Sequence, residues 1–295
     1  MTTTTEASTR ITDALLPARV GVLGGGRMGA GIAHAFLING AQVVIVEREE
    51  EAARSAHARV AKSVAVSFDR GALGADSREV FERFSTSVDY ADFASCDLVV
   101  EAVPEDVKLK TTALRAVAEH LSPHAYLATN TSSLSISALA ESVGNADRFL
   151  GLHFFNPVPA SNLIEIVVAD KTSEQTVAAA RGWVTGLGKT AVVVRDAPGF
   201  ASSRLGVAIA LEAMRMVEED VATAEDIDNA MVLGYKHPVG PLRTTDIVGL
   251  DVRLGIAEYL HATLGERFAP PQILRDKVAA GELGRKTGRG FYVWS

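Results

Sequence analysis

Over its first two thirds the chain alternates short apolar runs with stretches whose apolar residues recur at helical spacing. Residues 20–23 form a run of strand type. Gly24, Gly25 and Gly26 follow, and then a helical stretch over 28–39. Its apolar positions Met28, Ile32, Ala35, Phe36 and Ile38 suit packing on a sheet, and Gly40 fits the residue just past the helix end. A second apolar run, 43–46, ends at Glu47. Strand, glycine turn, helix, strand is the βαβ unit of a parallel sheet. The alternation continues with a helical pair over 49–83 turning at 71–74, a strand at 98–103, a helix at 106–120, and strands at 125–129, 149–153 and 163–168. Thr172 with Gln175 reads as a capping box opening a helix to 187, and 191–195 reads as a last strand.

After Asp196, Ala197, Pro198 and Gly199 the character changes. Only helical periodicity follows, apart from a brief apolar stretch at Phe291 and Tyr292, with Thr223 and Asp226 marking a second helix start. Residues 205–211 are apolar on every face, so that helix is expected to be enclosed all round. A domain of about 100 residues has little core to enclose it alone, which implies a partner subunit. The expected organisation is a flexible tail over 1–17, an α/β Rossmann-type dinucleotide-binding domain over 18–196, and an all-α C-terminal domain over 197–295.

Composition narrows the classes. The 295 residues carry 29 Lys+Arg against 36 Asp+Glu, a net charge of −7. That balance, without a basic cluster, argues against a nucleic-acid groove. A hydrophobic content of 47% with 22% charged residues supports a folded chain. The single cysteine, Cys96, excludes a disulfide framework and a multi-cysteine zinc site, and no metal site is expected. The polar start MTTTTEASTR is not a signal peptide, and no apolar stretch is long enough to span a bilayer. A cytoplasmic protein with no membrane partner is expected.

The glycines spell Gly24-x-Gly26-x-x-Gly29 between a strand and a helix, with Arg27 and Met28 in the same turn. The first glycine permits the tight turn, the second the approach of a pyrophosphate, and the third close packing of helix on strand. Glu47 ends the next strand eighteen residues beyond Gly29 and is the expected partner of an adenosine ribose diol. A carboxylate there favours NAD over NADP. Arg48 beside it leaves NADP open, since it either holds a 2′-phosphate or is a solvated charge among neighbouring glutamates.

A nicotinamide enzyme that oxidises an alcohol needs a base for the hydroxyl proton, and histidine suits this near neutral pH. Of the seven histidines, His34, His57, His120, His124 and His261 read as surface residues, and His237 lies ambiguously in a turn. His153 differs. It ends an apolar strand and opens the loop Phe154-Phe155-Asn156-Pro157, at the strand end where parallel sheets bind ligands. Glu165 is isolated in the apolar run Leu163-Ile164-Glu165-Ile166-Val167-Val168, where a carboxylate is costly unless paired. Pairing with His153 would orient the ring and stabilise its imidazolium; a purely structural ion pair is the alternative. Asn130-Thr131-Ser132-Ser133 follows a further strand and reads as a helix cap, as short donors beside the nicotinamide, or as both.

Together these strings resemble the L-3-hydroxyacyl-CoA dehydrogenase family, in particular its short single-function members. The resemblance runs from about Arg19 to the end through GGGRMGAGIA, VVEAVPE, NTSSLSI, GLHFFNPVP, LIEIV, APGF, EDIDNAM with HPVGPL, and GRKTGRGFY. It implies reversible oxidation of a short-chain L-3-hydroxyacyl-CoA, with His153 as general acid/base, Glu165 as its orienting partner and Ser132 on the substrate oxygen. It further implies cofactor contacts from Glu105, Lys110, Asn156 and Lys286, and a homodimer through the helical domain. One departure stands out: the family reads PGF-x-x-N-R, whereas Ser203 occupies the asparagine position here. Ser203 therefore counts as a site residue with shorter reach, or as a first-turn helix residue bonded to its own backbone. That departure also motivates a non-CoA hydroxy acid as substrate, and a non-catalytic NAD-binding protein is the remaining alternative. Arg54, Arg59, Lys62 and Arg70 are the candidates for holding the CoA nucleotide.

Overall fold

A computed structural model describes residues 16–71 and 77–295. The strands are β1 (Arg19–Leu23), β2 (Gln42–Val46), β3 (Phe84–Ser87), β4 (Leu98–Glu101), β5 (Tyr126–Thr129), β6 (Phe149–Phe154), β7 (Leu163–Val168) and β8 (Thr190–Arg195). The helices are α1 (Arg27–Ile38), α2 (Glu50–Asp69), α3 (Ser77–Phe81), α4 (Val107–His120), α5 (Ile136–Ala140) and α6 (Glu174–Gly186), followed by α7 (Ser202–Glu218), α8 (Ala224–Asn229), α9 (Pro241–Val248), α10 (Leu250–Leu264) and α11 (Gln272–Ala279). The chain divides into two compact units. One holds the residues up to Thr131 with Ile136–Asp196, and the other holds Ser132–Ser135 with Ala197–Ser295.

In the first unit the strands form one sheet in the order β3-β2-β1-β4-β5-β6-β7-β8. The direction of winding reverses between β1 and β4, the point at which doubly wound sheets bind their ligands. Alternation along each strand assigns the faces. Val20, Val22, Leu98, Val100, Leu150, Leu152, Ile164 and Ile166 join α1, α2 and α6 in one apolar core. Gly21 faces the other way, where a side chain would collide with Phe93 and Val99.

Three expectations change, and one strand is added. The sheet is not parallel throughout, because β7 runs antiparallel to β6 before β8 resumes parallel to β7. The cap of α6 is Ser173, which accepts from Thr176 N, whereas Thr172 donates to the Phe149 carbonyl and accepts from Ala169 N. Leu16 packs on the core and Pro17 is buried, so these two do not belong to the tail expected over 1–17; residues 1–15 and the 72–74 part of the turn lie outside the described residues. The helical pair over 49–83 is present as α2 and α3, and β3 follows it as a strand that the sequence pattern does not assign.

The second unit is helical, and Thr223 caps α8 by accepting from Asp226 N, as its spacing implies. Its core joins Val207, Leu211, Met214, Leu242, Leu250 and Leu260. The α7 segment 205–211 is not enclosed within the chain: Leu205 is 64% and Ile209 38% exposed, while Val207, Ala210 and Leu211 face inward. Two buried carboxylates organise the C-terminal segment. Asp246 accepts from Phe291 N, Tyr292 N and the Trp294 indole, at 2.9, 2.9 and 2.8 Å. Asp228 accepts from Leu242 N, Arg243 N and the Tyr292 hydroxyl.

Replacing Asp246 with Ala leaves three donors without their shared acceptor. A hydrogen bond to a charged group contributes about 1.5–3 kcal/mol. Asp246→Ala should therefore lower unfolding free energy by roughly 3 kcal/mol or more in urea titrations, with faster proteolysis at the C-terminal segment. An unchanged midpoint would contradict this assignment.

Candidate active site

The glycine turn lies at the carboxyl end of β1. Gly24 has φ +90°, a conformation that side-chain-bearing residues rarely adopt. A Cβ at Gly29 would run into the Gly24 carbonyl, whereas one at Gly26 would meet nothing within 4 Å. The first and third glycines are thus required by the fold, and the second leaves space open above the turn. Gly26 is also the N-cap of α1, without a capping side chain, and Arg27 beside it is exposed while Met28 is half-buried. An open backbone surface at the positive end of a helix fits a pyrophosphate. The Gly25 N–H donates to Glu47 Oε1 at 2.6 Å, which fixes that carboxylate against the turn. Arg48 is exposed and pairs with Glu49 at 3.2 Å.

The carboxyl ends of β4, β5 and β6 lie along the same sheet edge. Past β5, the Asn130 side-chain oxygen accepts from Phe154 N at 2.9 Å, tying the ends of β5 and β6 together. In β6, His153 lies directly opposite Glu165 of β7 in the antiparallel register. His153 Nδ1 and Glu165 Oε2 are 2.7 Å apart, with His153 6% exposed and Glu165 fully buried. An ionised carboxylate only accepts, so Nδ1 carries the proton and Nε2 is the ring nitrogen without one. The Phe155 ring packs 4.4 Å from the imidazole.

Sequence reasoning overlooks Glu101. It ends β4 without solvent exposure, and its carboxylate accepts from Lys110 Nζ at 2.8 and 3.1 Å, from Thr129 Oγ1 at 2.5 Å and from Val103 N at 2.6 Å. Lys110, for which a direct cofactor contact is expected, is itself fully buried and also donates to the Val103 carbonyl. Burial pushes the Glu101 carboxyl above its ordinary range, against the pull of Lys110. Glu105 remains exposed, where the Thr131 hydroxyl donates to it. The signal is present in the sequence: Glu101, like Glu165, is a lone carboxylate inside an apolar run.

Other candidates fall as follows. Ser132, Ser203 and Lys286 belong to the helical unit. Ser203 lies in the first turn of α7, and its hydroxyl makes no hydrogen bond among the described residues, so the local backbone bond is not formed. Lys286 Nζ pairs with both oxygens of Asp251 at 2.6 Å, which helps hold the Asp251 carboxyl below its ordinary range against its partial burial. Asn156 is exposed in the loop after β6. His34 is not a surface residue: it is 1% exposed and bonded through Nε2 to Ser67 at 2.8 Å. Of the basic candidates, Arg54 pairs with Glu51 and Arg59 reaches the Gly25 carbonyl. Lys62 and Arg70 line a cavity of about 410 Å³ with Ser63, Ser67, Pro157 and Pro159. Among the described residues no cluster could hold a metal ion, and no helix is long and apolar enough to cross a membrane.

The 3-hydroxyacyl-CoA dehydrogenase NAD binding domain matches residues 19–197, and the C-terminal domain of the same family matches 199–294. The chain belongs to the 3-hydroxyacyl-CoA dehydrogenase family. It is accordingly an oxidoreductase with an NAD-type cofactor. A probable 3-hydroxybutyryl-CoA dehydrogenase of Deinococcus radiodurans is 40% identical over 277 residues, covering 94% of this chain and all of the relative. The 3-hydroxybutyryl-CoA dehydrogenase of Mycobacterium tuberculosis is 39% identical over 280 residues, 94% of this chain and 98% of that one. The crystal structure of (S)-3-hydroxybutyryl-CoA dehydrogenase from Ralstonia eutropha superposes with a TM-score of 0.91 at 39% identity, over 95% of this chain and 99% of that one.

The Glu101–Lys110 pair makes a pH-dependent prediction for this family member. Removing the cation in Lys110→Met strands a buried carboxylate, an effect of about 3–5 kcal/mol when the acid is ionised. Protonated Glu101 needs no cation. The raised carboxyl pKa of the folded state means that the deficit grows as pH rises above the ordinary carboxylate value near 4.3. Urea unfolding should show a larger loss at pH 7 than at pH 5. Equal losses at both values would contradict the pairing.

Proposed function

We propose that the chain catalyses the reversible NAD-dependent oxidation of a short-chain L-3-hydroxyacyl-CoA to the 3-oxoacyl-CoA, with His153 as general acid/base oriented by Glu165. The observation that carries this reading is the buried 2.7 Å bond between His153 Nδ1 and Glu165, which leaves Nε2 as the proton acceptor. In the oxidative direction Nε2 takes the proton of the C3 hydroxyl while the C3–H bond breaks and the carbonyl forms. Glu165 stabilises the imidazolium so produced. When bound, the nicotinamide supplies the two-electron acceptor for the hydrogen leaving C3. In the reverse direction the imidazolium returns its proton to the carbonyl oxygen. Short chain length is supported by relatives named for 3-hydroxybutyryl-CoA that match along their whole length.

In this reading Ser132 and Ser203 donate to the substrate oxygen. Gly24, Gly26, Arg27, Met28 and Gly29 form the dinucleotide turn, with Glu47, Glu105, Asn130, Asn156 and Lys286 as further cofactor contacts and Lys110 behind them. NAD is favoured over NADP, because Glu47 faces the turn and Arg48 is engaged by Glu49. The cavity bearing Lys62 and Arg70 suits the phosphates of CoA. A second copy of the chain covers Leu205 and Ile209, giving a homodimer through the helical domain, and the enzyme works in the cytoplasm.

A steady-state assay with acetoacetyl-CoA and NADH or NADPH, followed by nicotinamide absorbance, tests the reading; turnover with neither cofactor would overturn it. General acid–base catalysis contributes about 10²–10⁴-fold. His153→Gln and Glu165→Gln should each lower kcat substantially, the histidine variant by that factor, while the Kd for NADH stays within about threefold. A His153→Gln enzyme within about threefold of wild-type turnover would reject the assignment.

A further inference from the structure

Residues 155–162 join β6 to β7 directly after His153 and Phe154. The β6–β7 ladder stops at the Phe154–Ile164 pair, so the carbonyls of Val158 and Ser161 find no partner in the sheet. Lys189, between α6 and β8, supplies one. Its Nζ donates to the Val158 carbonyl at 2.8 Å and to the Ser161 carbonyl at 2.5 Å. Among the described residues no carboxylate pairs with this ammonium, so its fixed partners are backbone oxygens. Burial pulls it below the ordinary lysine value, and hydrogen bonds from a charged donor are strong enough to offset part of the lost hydration.

The base of this contact is fixed. Lys189 N donates to the Val184 carbonyl in the last turn of α6, and Thr190 N to the Asn162 carbonyl, at 3.0 and 2.6 Å. On its other side the loop is seated by Val158, which is 3% exposed and packs against Gly31 of α1, where a Cβ would lie 2.9 Å from Val158 Cγ2. Between these anchors Pro157, Pro159 and Ala160 form one wall of the 410 Å³ cavity. The other wall is α2 with its cap residue Arg70, and it includes Lys62 and Ser67. Ser67 is held from behind by the buried His34 at 2.8 Å. The helical wall is thus fixed by its own hydrogen bonds, whereas the loop wall depends on the Lys189 ammonium. All of these residues lie in the first unit.

We propose that Lys189 is a positioning residue for acyl-CoA binding. Its ammonium holds the β6–β7 loop against α1, and the loop then bounds the cavity at the spacing from Lys62 and Arg70 that the substrate's phosphates require. Lys189 is not part of the cavity lining and acts only through the loop. This rests on the reading of that cavity as the site of the CoA phosphates. A brace for the fold as a whole would affect every substrate equally.

The test compares acetoacetyl-CoA with the acetoacetyl thioester of N-acetylcysteamine, which carries the same reacting group and none of the CoA phosphates, at saturating NADH. In Lys189→Met, KM for acetoacetyl-CoA should rise about tenfold or more, the scale of one hydrogen bond to a charged group. Its kcat, and kcat/KM for the truncated thioester, should stay within about twofold. Lys189→Arg, which keeps the charge and the N–H donors, should recover most of the affinity. Lys189→Gln carries the test where the methionine variant fails to fold. Equal losses on both thioesters, or an unchanged KM for acetoacetyl-CoA, would overturn the proposal. Arg70→Ala, measured alongside, should raise KM for acetoacetyl-CoA alone. A selective rise in Arg70→Ala without one in Lys189→Met overturns the positioning role by itself. No selective rise in Arg70→Ala overturns the reading of the cavity, and the proposal with it.

Discussion

A carboxylate with no solvent exposure, in a strand otherwise made of Leu, Ile and Val, is tolerated only where a partner stands opposite it. The antiparallel pairing of β6 and β7 supplies that partner, with His153 and Glu165 facing each other across the ladder. Leu152, Phe154, Ile164 and Ile166 point to the opposite face and join the core with α1 and α2. A slip of one residue would turn those four out of the core and the charged pair into it. The packing that holds the sheet together therefore also holds the imidazole at its hydrogen-bonding distance.

The same edge of the sheet carries a second buried ionic arrangement with a different consequence. Glu101 and Lys110 pair inside the unit, Lys110 Nζ also lying 3.6 Å from Glu105, and the Glu101 carboxylate further accepts from Thr129 and Val103 N. This pair joins the end of β4 to the first turn of α4, and Lys110 lies within 3.4 Å of the Asn130 carbonyl. Asn130 in turn binds Phe154 N, next to His153. A continuous set of polar contacts thus runs from β4 through β5 to β6.

Much of this arrangement is legible in the order of the amino acids. The β1–α1–β2 unit follows from strand-type runs around a glycine turn, and the His153–Glu165 pair from the expense of a lone buried carboxylate. Strand direction is not encoded in such patterns, so the reversal of β7 stays invisible even though its bounds, Leu163–Val168, are readable. β3 is missed because Phe-Ser-Thr-Ser is polar, as suits the outermost strand of the sheet. His34 reads as a surface residue because its local sequence does not show that Ser67, thirty-three residues away, comes within 2.8 Å.

The central claim is that His153 and Glu165 work as one unit, and a double-mutant cycle tests it most directly. Turnover would be measured for wild type, His153→Gln, Glu165→Gln and the double variant under identical saturating conditions. If the carboxylate acts only through the ring, the double variant should be no slower than His153→Gln alone, within about twofold, because groups that act together are strongly non-additive. Losses that multiply across the two substitutions would contradict the account and give Glu165 a role independent of His153.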